Sequence, residues 1–475
     1  QLSDATVDLQ ASGKAVDLKQ FDLASYRLEV ARQNQTLATV AGSGTCDTAA
    51  GSADMQVAAR VALAPLLQVL PQPDTSVASG TADLKARFIQ KQQTQTVTGT
   101  LALADFTGQF GKNKLRSFGA TADFDAVMTP QQVEVRKAAG KLTQGANAGG
   151  SFDLTATYDL VKKSAAVTAR LVDINQNGVG AFLEPLLADK QLVSVAINAQ
   201  ATAQYDPQGA SAVKGDLLVT NLVVKDPAGQ FPASPLEAKL QVDASLQKQV
   251  ANVRQFQMTL TPTARAANQV QLSGQVDLSR TNAIKGDLKL AADSLDLTSY
   301  YDLFMGGKQA AGPAPAATTS APAAARADQE PAAMPLPLRN FTISASVRRC
   351  YLHEVEIADW QTLLKIDGGH VVLNPFKLTL NGAPVNTTLD LDLGVPGWKY
   401  DLSLSAQAVP LPPLVNSFQP ERKGQIGGTA TARGKLSGAG ITFGMEETFL
   451  PWLKRGELEA VLEDYCPRFQ GFYLY

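Results

Sequence analysis

The stretch Gly369 to Phe443 reads GHVVLNPFKLTLNGAPVNTTLDLDLGVPGWKYDLSLSAQAVPLPPLVNSFQPERKGQIGGTATARGKLSGAGITF, and apolar and polar residues alternate through it in consecutive runs. Phe376, Leu378 and Leu380 form one run, Leu389, Leu391 and Leu393 a second, and Tyr400, Leu402 and Leu404 a third. Side chains of an extended chain point to opposite faces at period two, so each run is read as a strand with one apolar face. Asn381-Gly382 lies between the first two runs and supplies the positive φ angles of a tight hairpin turn. Pro410, Pro412 and Pro413 then interrupt the pattern, because proline has no N–H for a sheet ladder. A short helix or turn is expected there, followed by another strand from Gln425 to Lys435.

This order of features resembles the C-terminal domain of the AsmA family, bacterial envelope proteins related to the longer TamB-like proteins. The residues that carry the resemblance are Asn374-Pro375-Phe376, the strand pair around Asn381-Gly382, the Pro-Leu-rich break at Val409 to Phe418, and the following strand with Gly427, Gly428 and Gly434. The resemblance implies a long twisted groove, a periplasmic location and a role with lipid or the outer membrane. AsmA-family proteins usually begin with a transmembrane helix. The resemblance therefore implies a tether to the inner membrane by an N-terminal helix that this chain, starting at Gln1 with no apolar run near 18 residues, lacks.

The same alternation runs upstream. Phe152, Leu154, Ala156 and Tyr158 alternate with polar residues, and Leu236, Ala238, Leu240, Val242, Ala244 and Leu246 do so over six positions. Further strands are expected at Thr98 to Phe106, Val193 to Tyr205, Gly215 to Val224, Val270 to Leu278 and Ile284 to Ala292, and the pattern resumes at Phe341, Ile343, Ala345 and Val347. Pro65, Pro185, Ser299 and Pro413 mark breaks spaced by 120, 114 and 114 residues, so a repeat of strands plus one helical break is expected. The helices are placed at about 64 to 70, 180 to 189, 297 to 305 and 412 to 418. The fold class is thus mainly β, with repeated antiparallel, curved sheets and few short helices. Alternation alone allows either an elongated open groove or a sandwich.

Four regions follow. Residues 1–305 are the repeated β region, 306–337 an Ala/Pro-rich linker without periodicity, and 338–443 the AsmA-like C-terminal β domain. Residues 444–475 break the pattern. Met445 to Tyr475 holds seven of the chain's 31 aromatic residues, with a helix expected at Glu446 to Arg455. It resembles the C-terminal end of the effector domain of a LysR-type regulator. Read so, it is a junction between unrelated sequences; the alternative is an aromatic-rich terminal element of the same protein.

Composition narrows the function. Charged residues make up 18% of the chain, below the roughly 25% typical of soluble domains, and the net charge of −2 supplies no basic field for nucleic acid. Cys46, Cys350 and Cys466 form no C-x-x-C pair and allow at most one disulfide. His353-Glu354 lacks the second histidine of H-E-x-x-H, because Ile357 stands there, and no nucleotide-binding or nucleophile-elbow motif occurs. Asp390 and Asp392 share one strand face without the further oxygen ligands of a calcium loop. No enzyme, cofactor or metal site is expected.

What stands out is an apolar sheet face repeated over hundreds of residues, with few helices to cover it. The leading expectation is a non-enzymatic envelope protein that shields or conducts lipid, with Leu236, Leu240 and Val242 as candidate lipid-facing residues. The rival is an assembly factor that pairs exposed strand edges with outer-membrane proteins. A LysR-type regulator fragment is the third reading; it needs a helix-turn-helix region that the sequence from Gln1 to Phe443 does not show.

Overall fold

A computed structural model describes residues 4–439 apart from residues 18, 34, 70–71, 73, 188–189, 227–228, 230–233 and 306–331. Strands β1 (Ala5–Val16), β2 (Gln20–Arg32), β3 (Gln35–Asp47) and β4 (Ser52–Ala62) precede helix α1 (Leu63–Val69). Six strands follow: β5 (Thr75–Lys91), β6 (Thr94–Phe110), β7 (Asn113–Met128), β8 (Gln132–Gln144), β9 (Asn147–Asp159) and β10 (Ser164–Asn175), then α2 (Gln176–Leu183). Six more lead to α3 (Thr298–Met305): β11 (Gln191–Tyr205), β12 (Ala210–Lys225), β13 (Leu236–Gln247), β14 (Val250–Leu260), β15 (Gln269–Asp277) and β16 (Ile284–Asp296). Finally β17 (Leu338–Leu352), β18 (Val355–Asp367), β19 (His370–Leu380), β20 (Ala383–Asp392) and β21 (Lys399–Pro410) lead to α4 (Leu411–Phe418) and β22 (Thr429–Ala439).

Each strand pairs with the next in sequence, so all 22 form one open sheet, mainly β with few short helices. There is no second facing sheet among the described residues, which removes the sandwich alternative. Neighbours are antiparallel except β16 and β17, which are parallel, so the sheet continues across the Ala/Pro-rich stretch. Antiparallel neighbours alternate in direction, so β4, β10 and β16 all finish at one margin of the sheet. The single parallel step makes β21 finish there too. All four helices therefore stand along the same margin, starting at Leu63, Gln176, Thr298 and Leu411, 113, 122 and 113 residues apart.

That margin holds the packed core. Beneath α2 and α3, Leu192, Val195, Val224, Leu236 and Leu303 are buried together, with Val179, Leu183 and Tyr300 packed against them. A second cluster of Ala292, Leu295 and Val347 lies at the parallel step. A line of β-bulges runs beside the helices, marked by positive φ at Asp105, Ser117, Asp173, Asn221, Asp359 and Ala408. Each bulge adds a residue to one strand, bends it and raises its twist along this line. The helix α2 starts where Asn175 accepts a hydrogen bond from the Asn177 N–H at 2.9 Å, a cap that sets its start at Gln176, before the expected residue 180. It approaches the sheet so closely that a Cβ on Gly178 would lie 2.3 Å from the Gly149 carbonyl oxygen.

The hairpin at Asn381-Gly382 forms with φ of 50° and 83°. The last strand differs from expectation, beginning at Thr429 rather than Gln425. Gly428 has φ of 90° and its carbonyl accepts from the Leu411 N–H at 3.1 Å, so it closes the turn after α4.

Candidate functional site

Residues directly opposite in adjacent strands share a sheet face, so the pairing registers trace rows across the whole sheet. One row takes a residue from every strand. From β1 to β11 it runs Gly13, Leu23, Gly44, Met55, Phe88, Val97, Ala126, Val135, Ala156, Val167 and Ala203. From β12 to β22 it runs Val213, Ala244, Val253, Gly274, Leu288, Ile343, Leu364, Leu373, Leu389, Leu402 and Leu436. Every member is apolar or glycine, and every one is half-buried or exposed. Among the described residues no protein layer covers the row.

Two parallel rows flank it on the helix side. One runs from Ala11 through Phe124, Leu154 and Val242 to Ala345, and the next from Leu9 through Leu101, Phe152 and Leu240 to Trp360. With strands about 4.8 Å apart and alternate residues about 6.8 Å apart along a strand, the central row is roughly 100 Å long and the three rows together form a stripe roughly 75 Å by 14 Å. Soluble proteins seldom expose apolar patches beyond a few hundred Å². Leu9 at 66% exposure, Leu101 at 47% and Val213 at 43% show how open it is.

The other face is polar. A row there includes Lys85, Thr100, Asp123, Asp153, Arg170, Gln200, Asp216 and Gln241. Ion pairs decorate it, with the Arg87 guanidinium forked on Asp54 at 2.8 and 2.6 Å and that of Arg348 on Asp293 at 2.5 and 2.7 Å. Each arginine holds its partner's carboxyl below the usual range. These pairs are exposed and screened by solvent, so they orient the face toward water more than they stabilise it.

The three sequence-derived candidates share the apolar face but not one environment. Leu240 and Val242 are half-buried in the open stripe. Leu236 is 3% exposed, covered by Leu192, Val195, Val224 and Leu303 in the helix-margin core. Ala156 and Ala244 already belong to the alternating runs read from the sequence; what that reading missed is that Ala126 and Ala203 join them as lining, which shows only once register aligns them with Val97, Val135, Val167 and Val213.

The polar candidates lie elsewhere. His370 Nε2 is 2.6 Å from Asp390 Oδ1, beside a shallow depression of about 690 Å³ that also borders Asp392, Lys399 and Asp401. His353 sits in the β17–β18 turn with Nε2 3.0 Å from Asp302 Oδ1. Among the described residues no group of three or more His, Cys, Asp or Glu is placed to hold a metal, and no helix is long and apolar enough to cross a membrane. At the helix margin, Asp296 accepts from Arg265 Nη2 at 2.8 Å and Thr298 Oγ1 at 2.7 Å, while Asn268, fully buried, accepts from the Asp296 N–H at 2.5 Å. Burial opposes the Asp296 charge, but the hydrogen bonds from Thr298 and Arg265 outweigh it and keep its carboxyl below the ordinary range. This network pins the start of α3 to β15 and β16.

No family model matches the chain, and no solved structure does. Forty residues, 8% of the chain, are 50% identical to a putative LysR family substrate binding domain-containing protein, YagP, of Escherichia coli K12. The match spans 29% of that relative's length. It is to the type of protein that the stretch from Met445 to Tyr475 resembles, a stretch that lies outside the described residues.

Proposed function

We propose that this is a non-enzymatic cell-envelope protein whose apolar β groove holds lipid acyl chains, in lipid transport or outer-membrane biogenesis. The observation that carries the reading is the 22-member row without a polar side chain, open along its length. An acyl chain needs no specific polar partner on such a floor: covering about ten methylenes gains on the order of 8 kcal/mol. A soluble protein partner of similar reach would bring backbone N–H and C=O groups that this floor cannot pair. The periplasmic location comes from the AsmA resemblance.

The test is direct. Full-length protein purified without detergent is extracted with organic solvent and the extract analysed by mass spectrometry. In parallel, transfer of a fluorescent phospholipid between donor and acceptor vesicles is measured. Stoichiometric phospholipid and protein-dependent transfer are expected; absence of both refutes the reading.

A second reading has one observation in its favour. β1 and β22 each leave an edge unpaired among the described residues, which suits an assembly factor acting by strand addition to outer-membrane proteins. Crosslinkers placed at these edges capture β-barrel clients under that reading, whereas crosslinkers at Leu240 or Val213 capture lipid under the first. A LysR-type regulator rests on the 40-residue match alone and is the least supported of the three.

A further inference from the structure

Several aromatic side chains of the apolar face lie directly opposite a glycine. Tyr26 pairs with Gly42, Phe124 with Gly99 and Phe152 with Gly140. A Cβ built on Gly42 would lie 2.6 Å from the Tyr26 hydroxyl and 2.8 Å from Cζ. On Gly99 it would lie 2.7 Å from Phe124 Cζ, and on Gly140 2.7 and 2.9 Å from Phe152 Cζ and Cε1. The rings therefore lie across the neighbouring strand, in space that only a missing side chain leaves free. A ring that stood upright would project into the path above the floor.

We propose that Gly42, Gly99 and Gly140 are positioning residues that keep the groove clear, by nesting rings that would otherwise obstruct an acyl chain. This rests on the acyl-groove reading above. It adds that the floor has a set depth, so the groove takes unbranched chains past these strands and excludes bulky ones. A Cβ at these positions would also meet a backbone carbonyl oxygen, that of Gln56 at 1.9 Å from Gly42, Lys85 at 2.3 Å from Gly99 and Thr121 at 1.9 Å from Gly140, so the strand backbone asks for glycine there as well as the ring.

The experiment uses the full chain with its three native tryptophans changed to phenylalanine and one reporter introduced, either L101W beside the Gly99 nest or L240W far from it. The probe is a dibrominated stearic acid, whose bromines quench a tryptophan they touch. Quenching of both reporters is expected in the parent. Gly99→Ala should raise the apparent Kd at L101W about tenfold, equivalent to about 1.4 kcal/mol, and leave L240W unchanged. Adding Phe124→Leu should restore quenching at L101W. Unchanged quenching at L101W in the folded Gly99→Ala protein overturns the inference, as does failure of Phe124→Leu to restore it.

A Cβ at Gly99 also meets the Lys85 carbonyl oxygen at 2.3 Å, so circular dichroism and a melting curve accompany each variant. Gly286→Ala gives an independent arm with an L288W reporter. The three nearest atoms to a Cβ there all belong to the Phe341 ring, at 2.5, 2.9 and 3.0 Å. The same local loss and rescue by Phe341→Leu are expected, and their absence counts against the inference even if Gly99→Ala does not fold. Quenching of neither reporter in the parent is a different result: it refutes the acyl-groove reading itself, and the nests fall with it.

Discussion

Replacing Asn268 by alanine should be among the most damaging single changes in the described chain. Asn268 is fully buried, sits at φ of 56°, and its side chain spans two backbone groups. Its Oδ1 accepts from the Asp296 N–H at 2.5 Å and its Nδ2 donates to the Thr261 carbonyl. Asn268→Ala strips both partners at once. A buried donor or acceptor left unmade costs about 1–3 kcal/mol, and alanine in the left-handed region adds roughly 1 kcal/mol. The sum is about 3–7 kcal/mol, concentrated where α3 joins β15 and β16. Asn268→Gly should lose about 1 kcal/mol less, because glycine accepts the positive φ. Hydrogen exchange read by mass spectrometry is the suitable assay, since each strand contacts its neighbours and opening is local. Protection in β15 and β16 should fall by at least a hundredfold, with β5 to β9 unaffected. A loss below about 1 kcal/mol, or one spread evenly over the sheet, refutes the reasoning.

Asp296 gives a pH prediction with a definite sign. Its folded carboxyl titrates below the ordinary range, so its contribution is present above the unfolded value near 3.9 and disappears as pH falls through the folded value. Urea midpoints followed from pH 6 to pH 3 should show the loss, and Asp296→Asn should make it smaller, leaving the share of other carboxylates held low, such as Asp54 and Asp293. Leu101→Lys places a charge on a 47% exposed stripe position; stability should change by less than about 1 kcal/mol while lipid recovered per mole of protein falls. Gly382→Ala, at φ of 83° in the β19–β20 turn, should lower stability by about 1 kcal/mol in urea titration. Deleting residues 445–475 should leave the melting temperature unchanged or raised, and a deletion that unfolds β20 to β22 would show the tail to be integral.

The β character was legible because residues such as Leu236 to Leu246 alternate cleanly, and the hairpin at Asn381-Gly382 because its turn chemistry is local. Three helices were legible from the Pro-Leu breaks and the remaining one, α3, from the break at Ser299, each within a few residues of where it forms. The first strands were not singled out: Ala5–Val16 mixes Ala, Gly and Ser with few large side chains, and its alternation has little amplitude. Register was hidden for a different reason. The bulges at Asp105, Asn221 and Asp359 shift the alternation within a strand, and no pattern in a single strand says which residue of the next one it faces. The parallel step at β16 and β17 was also out of reach, because strand direction depends on where a long connection re-enters the sheet.

The parallel step makes the molecule a ruler graduated in hairpins. Removing any adjacent pair of antiparallel strands would shorten it by about 10 Å and return the chain to the same side and heading. Removing one strand would reverse every strand that follows and carry the later helices to the far margin. Insertions and losses in related chains of different length should accordingly come in twos, except where a second same-direction step resets the count.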